Sequence, residues 1–145
     1  MILNSREALV QMSVLFYEEF GRKALPIISK IWYELGQSTS ARLSGNHSGA
    51  DFKSVATNFY KRGQENASRT NTEPPELEEL TDSTFHYSHA QDQCPLGLKN
   101  RDLCEAIMCV DKGQIEAAIG NSVELKIIQS AAVGDGCCEI VVRKL

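Results

Sequence analysis

The sequence predicts an α+β fold, with N-terminal helices packed on a small antiparallel sheet and a strand-helix-hairpin C-terminal half. Three observations carry this expectation. Apolar residues recur at helical spacing from Leu9 to Tyr60. Alternation of the strand type begins only after Ser83. Gly134-Asp135-Gly136 then separates two alternating runs, as a hairpin turn would. Helices first and strands later is the order of an α+β domain.

At 145 residues the chain has the length of one domain with a real core. It reads as a single domain, 1–145. Residues 1–65 form a helical part, 66–81 a linker or surface crossing, and 82–145 the part carrying the cysteines. A net charge of −4, with scattered Lys and Arg, excludes nucleic acid as the main partner. No apolar run approaches the roughly 18 residues of a spanning helix, and Met1–Glu7 lacks the pattern of a signal peptide. The expectation is a cytoplasmic protein with no membrane partner.

The first helix is expected to start near Ser5, with Leu9, Met12, Leu15, Phe16 and Phe20 on its buried face. Pro26 predicts a break near Ala24-Leu25 and opens the next helix. Ile27, Ile28, Ile31, Trp32 and Leu35 continue an apolar stripe, read as core packing, up to Gly36 as C-terminal cap. Residues 37–49 read as loop, and His47 as a solvated residue in it. Phe52, Val55, Ala56, Phe59 and Tyr60 mark another amphipathic helix, capped by Ser48 or Asp51. Pro74-Pro75 and the acids Glu76, Glu78 and Glu79 read as the solvated surface crossing.

From Ser83 to Gln93 the chain alternates, placing Phe85, Tyr87 and His89 on one face and His86 and Ser88 on the other. Cys94-Pro95 stops it. Asn100 or Asp102 caps a helix through Leu103, Ile107 and Val110 that ends near Gly113, with a shorter helical piece after it. Runs 122–130 and 138–143 form the hairpin, with Cys138, Ile140 and Val142 facing inward.

All five cysteines, Cys94, Cys104, Cys109, Cys137 and Cys138, fall in this half. Late clustering and an odd count suggest free thiols, metal ligands or catalysis more than a disulfide framework. No standard zinc spacing is present, yet Cys94, Cys104 and Cys138 can converge as a less regular zinc site, with Asp111 or Asp135 adding a carboxylate. Cys104 and Asp111 share a helix face two turns apart, while Cys109 points away. Burial as small core residues is the competing reading of these thiols. His89 lies nearest Cys94 and is placed to act as its base. Gly134 and Asp135 offer backbone N–H groups to an anion, or simply turn the hairpin.

The order Cys94-Pro95, Leu103-Cys104, Cys109-x-Asp111 and Gly134-Asp135-x-x-Cys138, followed by an apolar strand, resembles the L-2-amino-thiazoline-4-carboxylic acid hydrolase family. It is also similar to the broader vinyl-4-reductase-like domains, which bind small ligands and in some cases zinc through hairpin cysteines. The resemblance covers about the last 60 residues. Ser130 stands near a point where the zinc-binding hairpins carry cysteine. The resemblance implies a hydrolase opening a cyclic thio-amidine at a cysteine-lined pocket, with Cys94 or Cys138 attacking directly or, with a metal, activating water. Asp111 or Asp135 would hold the substrate's amino group or relay a proton, and His89, Gly134 and Asp135 would bind substrate. The alternative is a non-enzymatic sensor module holding a small ligand or zinc. A third is a homodimerisation domain using the faces of the N-terminal helices.

Overall fold

A computed structural model describes residues 1–45 and 49–145. Helix α1 (Ser5–Phe20) is capped by the Asn4 carboxamide, which accepts from the Glu7 N–H. A 3-10 turn at Gly21–Ala24 leads into α2 (Leu25–Ser38), with Pro26 in its first turn where no backbone donor is needed. A single turn, α3 (Ala41–Ser44), precedes α4 (Phe52–Thr70), capped by Asp51. Ser48, the other candidate cap, and His47 lie outside the described residues.

Strands β1 (Glu76–Leu80) and β2 (Thr84–Ala90) follow, then α5 (Arg101–Ile107) capped by Asn100, and α6 (Cys109–Ile119). Strands β3 (Val123–Gln129) and β4 (Cys137–Lys144) close the chain. The four strands form one antiparallel sheet in the order β1-β2-β4-β3. The fold is α+β, as expected. Among the described residues no helix is long and apolar enough to cross a membrane.

Register decides which side chains face the helices. Phe85 pairs with Val142, Tyr87 with Ile140 and His89 with Cys138, so these six share one sheet face. On that face Phe85, Ile140 and Val142 are buried, and α4 lays Phe59 against Phe85 and Tyr87 at 5.9 and 5.8 Å between ring centroids.

Four expectations need correction. Residues 66–81 are not a linker: they hold the last turns of α4 and the edge strand β1. The acidic pattern hid this strand because an edge strand facing solvent carries charge and gives little apolar alternation. Gly36 does not end α2, and Gly113 does not end the C-terminal helix. Both sit inside helices, where α2 and α6 cross. A Cβ on Gly113 would lie 2.2 Å from the Tyr33 carbonyl oxygen, so absence of a side chain, not helix termination, is what each position needs. Cys104 and Asp111 do not share one continuous helix, since the chain resets at Met108 between α5 and α6. Finally, α1 buries Val10 and Ser13, leaving Met12, Leu15 and Phe20 exposed, and α2 buries Ile28, Trp32 and Gly36 while Ile27 and Ile31 face outward. Each apolar stripe is wider than the face the core accepts.

Candidate functional site

Between the helices and the inner face of the sheet lies a cavity of about 1040 Å³. Its walls follow from local periodicity. Trp32, Leu35 and Thr39 descend one side of α2; Phe59, Gly63 and Asn66 lie at i, i+4 and i+7 on α4; Phe85, Tyr87 and His89 are alternate residues of β2. Val110, Asp111 and Gln114 from α6 close it, with Ser5, Arg6 and Leu9 from α1. Trp32 is held by its indole N–H, which donates to the Ser13 hydroxyl at 2.9 Å. Gln114 donates to the Thr39 carbonyl and hydroxyl, both at 3.1 Å, tying α6 to the end of α2.

Asp111 is the chemical centre of this cavity. It stands in the first turn of α6, where the helix dipole favours a carboxylate. Burial nevertheless pushes its pKa from 3.8 up to about 6, with Arg6 pulling in the opposite direction. Among the described residues no hydrogen bond partners the carboxylate, and the half-buried Asp111 lines the cavity. Tyr87 faces it, and its hydroxyl is held far above the usual range by burial, then by the fields of Asp111 and Cys138. The Asp111 carboxylate presents an acceptor in a cavity that Trp32, Phe59 and Tyr87 also line, a mix of apolar walls and a few polar groups that suits a small molecule. His89 also lines the cavity, with its Nε2 2.5 Å from the Glu73 carbonyl oxygen.

The remaining expected site residues gather elsewhere. Cys94 follows β2, Cys104 lies on α5 and Cys138 on β4; the Cys104 thiol feels the fields of Cys138 and Cys94, and the Cys138 thiol that of Cys94. The buried Ser130 hydroxyl donates to the Cys104 sulfur at 3.6 Å. Burial pushes the thiols of Cys104 and Cys138 up, away from the thiolate that nucleophiles and metal ligands need. Among the described residues no set of three or more His, Cys, Asp or Glu side chains is gathered to hold a metal ion. Cys94 and Cys138 are not among the residues lining the cavity that holds Asp111. Gly134 and Asp135 are spent on the turn: the Asp135 carboxylate accepts from the Ser130 N–H at 2.8 Å, and its own N–H donates back to the Ser130 carbonyl at 3.2 Å. His86 lies on the opposite sheet face, 2.6 Å from Glu139 Oε2. Cys109 turns its thiol to the Glu105 carbonyl and Cys137 to Gln129.

Sequence reasoning reached Asp111 and His89 but read Trp32 and Phe59 as core and passed over Arg6, Arg42, Arg62 and Arg69, which also line the cavity. Periodicity marks a face as inward; it cannot say whether that face meets atoms or a void.

No family model and no curated protein matches the chain. Solved structures do. The phenol-responsive sensory domain of the transcription activator PoxR, with phenol, is similar at a TM-score of 0.61 and 12% identity over 99% of this chain and 76% of that one. Subunit 3 of a trafficking protein particle complex from Naegleria fowleri, covalently bound to palmitic acid, is similar at 0.61 and 17% identity, covering 96% and 94%. An H-NOX protein from S. oneidensis in the Fe(II)NO ligation state is similar at 0.60 and 8% identity, covering 99% and 78%. At such identities the likeness is one of fold. Nothing in it points to aminothiazoline hydrolases in particular.

Proposed function

We propose that this protein is a small-ligand-binding module of the sensory kind, holding its ligand between the helices and the sheet. The observation that carries this is the cavity itself, walled by Trp32, Phe59, Phe85 and Tyr87 with Asp111 as an unpartnered acceptor. The fitting ligand has an apolar ring or chain and a polar head group. Likeness to a phenol-responsive sensory domain and to a palmitate-bound subunit supports the reading. The hydrolase reading has less support, because the raised thiols of Cys104 and Cys138 disfavour thiolate and the cavity does not include Cys94 or Cys138.

Trp32, the sole tryptophan, reports on the cavity directly. Native mass spectrometry of gently purified protein, followed by Trp32 fluorescence with a panel of phenols and aliphatic acids and alcohols, tests the reading. A saturable response is expected, and it should be lost in Gly63→Leu, which fills the space beside Phe59. A flat response to every compound, with no co-purifying molecule, would remove the binding function.

A second proposal concerns assembly. Met12, Leu15, Ile27 and Ile31 are 66%, 55%, 55% and 45% exposed on neighbouring helices, which favours the homodimer expected through α1 and α2. Light scattering showing a monomer at micromolar concentration would remove it.

A further inference from the structure

The cavity is lined by an uneven choice of cations. Four of the seven arginines, Arg6, Arg42, Arg62 and Arg69, line it, and none of the eight lysines does. Against them stand two acids, Glu65 and Asp111, in a chain whose overall charge is negative. Among the described residues none of these four arginines ion-pairs with a carboxylate. Two arginines outside the cavity do: Arg22 with Asp102, and Arg101 with Glu105.

Arg6 is partly committed, because its field acts on Asp111. The α4 pair is not. Arg62 and Arg69 are two turns apart, with Gly63 and Asn66 on the cavity side between them, and Asn66 Oδ1 accepts from the Arg69 guanidinium. Along α4 the cavity wall therefore changes from the Phe59 ring to amide and guanidinium donors. Strand β2 changes the same way, from Phe85 through Tyr87 to His89. His89 reaches the Glu73 carbonyl just beyond the end of α4, so the two polar ends coincide. The result is an apolar floor with a donor-rich rim. Guanidinium forks bind carboxylates in paired hydrogen bonds, which a lysine point charge does not.

We propose that the ligand is an amphipathic organic anion, its apolar body against Trp32, Phe59 and Tyr87 and its carboxylate on the Arg62–Arg69 side of the rim. This rests on the binding reading above and sharpens it to a charge class.

The test compares ligands with one body and different heads. Decanoate against 1-decanol, and 3-phenylpropanoate against 3-phenylpropanol, are titrated into the full chain at pH 7.5 and low salt, reading Trp32 fluorescence. At least one acid should bind about tenfold or more tightly than its alcohol, with the margin shrinking at high salt as screening grows. Arg62→Gln/Arg69→Gln should bring that acid down to its alcohol's affinity, while Arg22→Gln, remote from the cavity, keeps the preference. Equal or tighter binding of both alcohols would overturn the anion proposal and leave the binding module standing. So would an acid preference that survives in the double variant. Failure of all four compounds would count against the anion proposal, and together with a flat response across the wider panel would take the module with it.

Discussion

The carbonyl oxygen of Val110 lies 2.0 Å from the place a Cβ on Gly36 would occupy, so α2 and α6 are in backbone contact. No side-chain rearrangement can relieve that contact, and a methyl group must push the helices apart. Gly36→Ala, and likewise Gly113→Ala against Tyr33, are expected to lose about 2–3 kcal/mol or more. Gly63 provides the contrast, since its nearest neighbour is the Pro75 Cγ at 3.3 Å. Gly63→Ala should stay within about 1 kcal/mol of the parent. Urea midpoints of the three variants decide it.

Glu116 ties that helix pair to the sheet. Tyr33 donates its hydroxyl to Glu116 Oε1 at 2.6 Å, and the Val123 N–H at the start of β3 donates to Oε2 at 2.7 Å. Glu116→Ala leaves the Val123 donor without its partner and should cost about 1–3 kcal/mol. The hydrogen bond to Glu116 is also the first cause holding the Tyr33 pKa near 12, ahead of burial. In the variant, one tyrosine should therefore ionise at distinctly lower pH in an ultraviolet titration. An unchanged titration would show that burial, not Glu116, controls Tyr33.

Asp111 makes stability pH-dependent in a stated direction. Its folded pKa, about 6, is above the unfolded value of 3.8, so between these values the folded state binds the extra proton. Stability from this group is then greatest below about pH 4 and falls as pH rises through 6. Asp111→Asn should be more stable than the parent at pH 7.5, by on the order of 1–2 kcal/mol, with the difference closing near pH 4. Denaturation curves across that range would show it; a constant difference at all pH values would mean Asp111 does not titrate inside the cavity.

Thiol reactivity should rank by burial. The Cys104 and Cys138 thiols are raised by desolvation. Cys137 turns outward to Gln129. Limited alkylation at pH 8, read by peptide mass spectrometry, should label Cys137 before Cys104 and Cys138. Fastest labelling at Cys138 would reopen the nucleophile reading. Joint protection of Cys94, Cys104 and Cys138 that a chelator removes would restore the zinc reading.

Much of this architecture was legible in the chain itself. Pro26 marked the α1–α2 break, Asp51 and Asn100 were available as caps, and the alternation through Phe85, Tyr87 and His89 placed those residues on one face. These features are local: they depend on residues within one or two turns, and physical chemistry reads them from spacing alone. Strand β1 escaped because its acids face water at a sheet edge. Gly36 and Gly113 were read as stops because a glycine's local meaning, chain freedom, is the same whether or not another helix presses on it.

What only the tertiary structure decided is where packing stops. The sequence marked Trp32 and Phe59 as inward and set Tyr87 beside Phe85 on one strand face, whereas the break at Met108 that puts Asp111 in the first turn of α6 came with the structure. Whether those inward faces meet one another or leave a void depends on how far apart α1, α2, α4 and α6 hold the walls. That distance is set by backbone contacts such as Gly36 on Val110, between residues more than seventy positions apart. Such pairings leave no periodic trace. A buried aromatic in a filled core and one lining an empty cavity obey the same spacing, so the site became visible only once the helices were in place.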